Sequence, residues 1–164
     1  MMKHIKIMTA IMILSSTLLW AEKEIVVDLS EQKAYAIEDG QIVFEGRISS
    51  GKKGRETPSG EYSIMQKKRH HKSNLWPKPK GGAKMPYMMR LTNTGIAMHL
   101  GYVPNKPASH GCIRLKNRFA QRLYKWARVG TRVIVEGRGQ DYLDAVNFSR
   151  DYYGDEYAII DNGY

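Results

Sequence analysis

The chain has 164 residues, a formal net charge of +10 at neutral pH and a single cysteine. This length suits one compact domain with its own core, and one cysteine excludes an internal disulfide. The charge indicates anionic partners, but no groove-reading helix, zinc finger or aromatic-rich RNA motif is visible, so we expect no nucleic-acid partner.

Residues 1–21 have the layout of a secretory signal peptide. Lys3 and Lys6 precede an apolar run from Ile7 to Leu19, and Trp20-Ala21 follows it. The run is shorter than the roughly 20 residues that a helix needs to cross a bilayer, which favours cleavage over an uncleaved anchor. We therefore expect an exported protein of the periplasm or cell envelope, with no stable membrane span once the leader is removed.

The segment after the leader predicts a β-meander. Ile25–Leu29 and Lys33–Ile37 are rich in β-branched and aromatic residues and are separated by a polar stretch, which is typical of paired strands. Asp39-Gly40 supplies the positive φ angles of a tight hairpin turn. Ile42–Ile48 continues the meander on the far side of that turn.

The middle of the chain alternates loops with short strands. A turn at Thr57–Gly60 precedes the predicted strand Glu61–Met65. Lys67–Lys84 holds seven lysines and arginines and no acidic residue, and its prolines and glycines predict a long exposed loop. That loop is either an attachment to an anionic polymer or a solvated face. Pro86–Leu91 and Gly95–His99 predict two more strands.

The last part of the domain follows a second irregular loop, Gly101–Cys112. Asn117 is predicted to cap a helix with one apolar face, and Gly130 is predicted to end it. Thr131–Glu136 predicts a further strand. Residues 138–164 form an acidic tail, which is either a docked helix or disordered.

Together these elements predict the fold class. Many short strands separated by turns, with one short helix late in the chain, are typical of a mainly β domain. We expect a β-sandwich or partial barrel over residues 24–137. No internal repeat or heptad run is visible.

Cys112 is the candidate nucleophile. A lone cysteine is usually a small buried hydrophobe, but polar residues flank this one and Gly111 precedes it, which is poor material for a core. Gly111 permits an unusual backbone dihedral, and main-chain N–H groups near Cys112 are suited to binding an oxyanion. His110 and Arg114 are expected to lower the pKa of the thiol and raise its thiolate fraction.

A cysteine nucleophile needs a base within hydrogen-bond reach, and every histidine precedes Cys112. His70 and His71 lie in the basic loop, where solvated side chains are expected. His99 ends a predicted strand thirteen residues before Cys112, so the loop between them can return and bring the two side chains together. We therefore predict His99 as the base. His110 is too near in sequence to face Cys112 easily, and we give it a supporting role in the loop.

Met98-His99 and Ser109–Leu115 resemble the signature of the L,D-transpeptidase catalytic domain, also called the YkuD family. The resemblance extends upstream to three further segments, Thr57–Ile64, Met85–Tyr87 and Thr94–Ile96. It covers about residues 24 to 137. It implies a mostly β, sandwich or barrel-like fold, a cysteine nucleophile with an upstream histidine base, and peptidoglycan stem peptides as substrates.

The resemblance also implies a reaction. Cys112 would attack the carbonyl of the third stem residue and expel the terminal D-alanine, and an amine from a neighbouring stem would resolve the thioester. His99 would accept the thiol proton. The backbone N–H groups of Gly111 and Cys112 would stabilise the tetrahedral intermediate.

The same resemblance gives the neighbouring residues supporting roles. Ser109 and His110 would support the loop, and Arg114 would position the loop or a substrate carboxylate. Leu100 departs from the family pattern, which often has a small or hydroxyl residue after the histidine. A backbone carbonyl in that stretch is then expected to orient the imidazole.

Three alternatives compete with transfer to an amine. With water as the acceptor the protein would be an L,D-carboxypeptidase. A second alternative is a wall-binding module that catalyses no reaction. Papain-like and NlpC/P60-like peptidases are disfavoured because they place the catalytic histidine after the cysteine. The histidines lack usable ligand spacing, so we expect no metal and no cofactor. The oligomeric state is left open.

Overall fold

The computed structural model describes residues 22–74, 82–141, 144 and 147. Over these residues the chain forms one curled nine-stranded sheet, a half-barrel, with a ten-residue helix packed against it. This confirms the predicted mainly β fold. The predicted leader and most of the predicted acidic tail lie outside the described residues. In the part of the chain that is described, no helix is long and apolar enough to span a membrane.

The elements have short, regular bounds. In chain order they are β1 (Lys23–Asp28), β2 (Lys33–Glu38), β3 (Gln41–Ser49), β4 (Gly60–Ser63), β5 (Gln66–Lys68), β6 (Met88–Arg90), β7 (Ala97–Leu100), β8 (Ile113–Leu115), α1 (Asn117–Trp126) and β9 (Arg132–Glu136). The sheet order is β4-β9-β1-β2-β3-β8-β7-β6-β5. The pairs β1–β9 and β7–β8 are parallel, and the other neighbours are antiparallel.

The predicted meander is confirmed, because β1, β2 and β3 are consecutive antiparallel neighbours. Asp39 and Gly40 join β2 to β3 with φ angles of 52° and 76°, and two positive φ angles give the turn whose twist matches the strands. Side chains alternate along β1, so Ile25 and Val27 are buried and Val26 between them is only partly covered. The core therefore lies on one face of the meander.

Two strands were not predicted. β8 lies between β3 and β7, and its side chains alternate as a strand requires: Ile113 and Leu115 are buried and Arg114 is partly exposed. β5 overlaps the start of the predicted basic loop, so the expectation that the whole loop is exposed is wrong there. Lys67 in β5 is partly buried, and its ammonium donates to the carbonyl oxygen of Tyr124 at 2.6 Å.

The helix ends differ from the prediction. Lys116 is the N-cap and makes no side-chain capping bond, while Asn117 is the first helical residue and its Oδ1 accepts from Gln121. The helix ends at Trp126, before the turn that contains Gly130. The ammonium of a lysine on β5 binds the last carbonyl groups of the helix instead, which is where the helix dipole favours a cation. The predicted roles of the asparagine and the glycine are therefore wrong.

Gly46 on β3 lets the helix pack against the sheet. A Cβ at this position would lie 2.3 Å from Cγ of the Phe119 ring, a separation that no packing arrangement tolerates. Phe119 is buried in α1 and its ring meets Phe44 edge to face. The position of the helix over the strand therefore depends on the missing side chain.

We expect Gly46→Ala to lower the free energy of unfolding by about 1–3 kcal/mol, because the added methyl group overpacks the contact with Phe119. Urea denaturation of the purified protein measures this. In a Phe119→Ala background the methyl group has room, so its added cost should fall below about 1 kcal/mol. Equal costs in the two backgrounds would show that the ring contact is not the cause.

Candidate active site

Parallel pairing of β7 with β8 brings the predicted catalytic residues together. His99 on β7 is in register with Arg114 on β8, and Cys112 precedes Arg114 by two residues. Residues in register share a face of the sheet, and Cys112, in the loop immediately before β8, lines the same cavity as both of these side chains. The geometry therefore presents the imidazole, the guanidinium and the thiol on the same side.

These side chains line one cavity of about 340 Å³. Ser109 and His110 line it as well, so five of the six predicted site residues meet there. The sixth, Gly111, is buried, and its N–H donates to Ser109 Oγ at 3.1 Å. Of the two N–H groups predicted to bind the oxyanion, that of Gly111 is thus engaged within the loop.

His99 is almost fully buried, with 9% of its surface exposed. Its Nδ1 lies 2.8 Å from the carbonyl oxygen of Leu100. Because a carbonyl only accepts, Nδ1 carries the proton and Nε2 is left as the acceptor. Leu100 thus orients the imidazole through its backbone, as expected for a chain that lacks a hydroxyl side chain there.

Burial lowers the pKa of His99 and the positive charge of Arg114 lowers it further, while the bond to the Leu100 carbonyl acts in the opposite direction. Burial disfavours the imidazolium because it removes the water that would solvate the charge. The imidazole is therefore neutral at neutral pH and able to accept a proton.

The Cys112 thiol is partly buried and packs against Met85, Met88 and Ala97. Its Sγ lies 3.7 Å from the carbonyl oxygen of Gly95. Burial raises the pKa of the thiol, although a backbone hydrogen bond from Ala97 and the nearby arginine oppose this. The expectation of a lowered pKa is therefore wrong, because desolvation outweighs the local positive charge. The resting pair is a thiol and a neutral imidazole.

Two buried hydroxyl groups hold the backbone on which the thiol stands. Ser109 donates to the carbonyl oxygen of Cys112 and accepts from the N–H of Gly111. Thr57 donates to the carbonyl oxygen of Gly111 at 2.8 Å and accepts from the N–H of Gly51 at 2.9 Å. Gly111 has a φ of +109°, and an added Cβ would lie 3.0 Å from Ile96, so the loop requires glycine there.

A buried glutamine extends this network into the meander. Gln32 is fully buried, and its side chain donates to Ser50 Oγ at 2.8 Å and accepts from the Ser50 N–H at 2.9 Å. The Ser50 carbonyl in turn accepts from the N–H groups of Ala108 and Ser109 at 3.0 and 2.9 Å. The loop that carries Cys112 is thus bonded to the end of β3.

Sequence reasoning missed Gln32, and it assigned Thr57 only to a turn. Neither residue has a local pattern that marks it, since their partners in the network lie 18 and 54 positions away.

His71 was expected to be solvated, but it is partly buried, and burial lowers its pKa. Among the described residues, no group of three or more His, Cys, Asp or Glu side chains could hold a metal ion.

Comparison with known proteins shows that the chain is similar to one family. The model of the L,D-transpeptidase catalytic domain, YkuD, matches residues 22–135. An L,D-transpeptidase from Mycobacterium smegmatis is 25% identical with a TM-score of 0.65, covering 71% of this chain and 59% of that one. An L,D-transpeptidase (Yku) from Stackebrandtia nassauensis is 27% identical with a TM-score of 0.66, covering 73% and 58%.

A cysteine-to-serine mutant of an Enterococcus faecium L,D-transpeptidase is also similar, at 26% identity and a TM-score of 0.62, covering 70% of this chain and 50% of that one. The chain thus spans between half and three fifths of the length of these structures. Comparison with curated proteins finds no match.

We expect Thr57→Val to lower the free energy of unfolding by about 1–3 kcal/mol, because it leaves the Gly111 carbonyl and the Gly51 N–H buried without a partner. Urea denaturation measures the loss. Thr57→Ser keeps the hydroxyl and should retain most of the stability. A valine variant as stable as the parent would show that the hydroxyl does not hold the loop.

We expect the alkylation rate of Cys112 by iodoacetamide to be still rising at pH 9, because the raised pKa keeps the thiolate scarce in the folded protein. Mass spectrometry of timed samples gives the rate at each pH. The urea-unfolded chain serves as the control, and its rate should be half-maximal near the ordinary thiol pKa of about 8.5, at a lower pH than in the folded protein. A plateau below pH 8 in the folded protein would contradict a protonated resting thiol.

Proposed function

This chain belongs to the L,D-transpeptidase catalytic domain family, and from that premise we propose that it is a peptidoglycan L,D-transpeptidase with Cys112 as nucleophile and His99 as general base. The observation that carries the proposal is that the thiol and the imidazole line one cavity, with the Nε2 of the imidazole left as an acceptor. The substrate is the tetrapeptide stem of peptidoglycan, and the acceptor is an amine.

Acylation begins from the neutral pair. As Sγ of Cys112 bonds to the carbonyl carbon of the third stem residue, Nε2 of His99 takes the thiol proton. The oxygen of the tetrahedral intermediate accepts from the backbone N–H of Cys112. When the C–N bond breaks, the imidazolium returns that proton to the amine of the departing D-alanine, and a thioester remains.

Transfer reverses the order of events. An amine of a neighbouring stem attacks the thioester carbonyl, and His99 accepts a proton from it. The C–S bond then breaks and sulfur leaves as a thiolate, which the N–H of Ala97 and the charge of Arg114 stabilise until it is protonated by His99. The two groups that counteract the burial-induced rise in the thiol pKa thus stabilise the sulfur when it carries a negative charge.

The supporting residues follow from their contacts. Ser109 fixes the backbone of the nucleophile, and His110 lines the cavity from the same loop. Arg114 contributes positive charge for a substrate carboxylate. We place the reaction in the periplasm or cell envelope, where peptidoglycan lies, and we propose that residues 1–21 are the leader that directs the chain there.

Incubation of the purified protein with tetrapeptide muropeptides tests the proposal, with mass spectrometry of the products. We expect cross-linked dimers and released D-alanine. Tripeptides alone would indicate that water resolves the acyl-enzyme, which is the carboxypeptidase alternative. Unchanged tetrapeptides with no adduct on the protein would favour a wall-binding module.

We expect Cys112→Ala to abolish the acyl-enzyme and His99→Gln to slow acylation by at least about 100-fold, the usual contribution of a general base. Quenched time courses with intact-protein mass spectrometry give both values. His70→Gln is the matched control, because His70 is exposed and outside the cavity, and it should acylate at the parent rate. A His99→Gln variant as fast as this control would remove His99 from the mechanism.

A further inference from the structure

The cavity around Cys112 has a one-sided charge. Among the described residues that line it, Lys84 and Arg114 are cationic and none is an aspartate or glutamate. Four cations elsewhere on the described surface pair with carboxylates: Lys23, Lys33, Arg132 and Arg138. Within the described residues neither cavity cation has such a partner. The site is therefore complementary to an anionic ligand.

Arg114 is held in place by a close backbone approach. A Cβ at Gly101 would lie 3.0 Å from Cγ of Arg114, so the arginine stem lies across a position where no side chain fits. The charge of this arginine reaches both His99 and Cys112. An anion bound to Arg114 would thus lie beside the reacting groups.

Lys84 stands on a different wall of the cavity. Its two neighbours are tied to the facing strand segment, because the Ala83 carbonyl accepts from the Ser73 N–H at 2.9 Å and the Met85 N–H donates to the His71 carbonyl at 2.8 Å. The lysine backbone is therefore fixed, and its side chain lines the cavity while staying exposed. Two cations thus approach the cavity from separate elements.

We propose that Lys84 and Arg114 form a two-point anion subsite that selects acyl donors with two free carboxylates, an inference that rests on the proposed function. Every donor has one carboxylate on the departing D-alanine, one residue beyond the scissile carbonyl, and Arg114 near the thiol binds it. Lys84 binds the second carboxylate, on the side chain of a diamino acid at the third position. The enzyme therefore discriminates against stems in which this group is a carboxamide.

The two residue types suit these tasks. The planar guanidinium pairs with a carboxylate in a fixed, two-pronged geometry, which serves a group that must be placed precisely beside the reaction. An ammonium is a point charge on a flexible stem, which suits a carboxylate whose exact position is less critical. A carboxamide is similar in shape but has no charge, so it loses the attraction to the ammonium while the rest of the donor is unchanged.

The test uses two synthetic tetrapeptide donors that differ only in a carboxylate or a carboxamide on the third side chain. Acylation of the full chain is followed by intact-protein mass spectrometry, and the ratio of kcat/KM for the two donors is the readout. We expect a ratio of at least about 10 for the parent, as for a hydrogen bond to a charged group. In Lys84→Met the ratio should fall below about 3.

Lys125→Met is the matched control, because Lys125 is an exposed lysine on α1 outside this cavity, and it should keep the parent ratio. Thermal melting of each variant checks that folding is intact. A parent ratio near one, or an unchanged ratio in Lys84→Met, overturns the subsite but leaves the transpeptidase proposal standing. If neither donor acylates the parent protein, the proposed function fails and the subsite fails with it.

Discussion

Hydrogen bonds from two buried hydroxyl groups fix the backbone that carries the thiol, and the rest of the site depends on them. Ser109 bridges both sides of the turn before Cys112, and Thr57 binds the carbonyl of Gly111 from a distant loop. Because these backbone groups are buried, each would be left without water if its partner were lost. The backbone at Cys112 is therefore held by hydrogen bonds from two segments, and its thiol lines the same cavity as the imidazole on the neighbouring strand.

The protonation state of the pair follows from the same burial. Desolvation favours an uncharged imidazole and a protonated thiol, so in the mechanism that we propose charge develops on this pair only when the sulfur bonds to the substrate. A protonated thiol reacts slowly with oxidants, since the thiolate is the species that they attack. In the oxidising compartment that we propose for this protein, a protonated resting thiol would protect the single cysteine from oxidation until an acyl donor binds.

Local signals in the sequence predicted much of the fold and singled out five residues that the structure brings into one cavity. Asp39-Gly40 requires only its own two φ angles, and strand alternation is visible within a few residues. The three-residue β8 was hidden because its residues belong to the motif around the cysteine. The Gln32–Ser50 and Thr57–Gly111 bonds could not be predicted, because they join distant segments. The direction of the thiol pKa also depends on burial, which neighbouring residues in the sequence do not reveal.

The parallel pairing of β1 with β9 has a consequence for folding during synthesis. β9 lies between β1 and β4, so it joins β4 to the rest of the sheet. Until the ribosome has released β9, one edge of the nascent meander has no neighbour and β4 has nothing to pair with. Such late, long-range closure slows folding, and a chain that stays unfolded longer would suit passage through a translocation channel in the export that we propose.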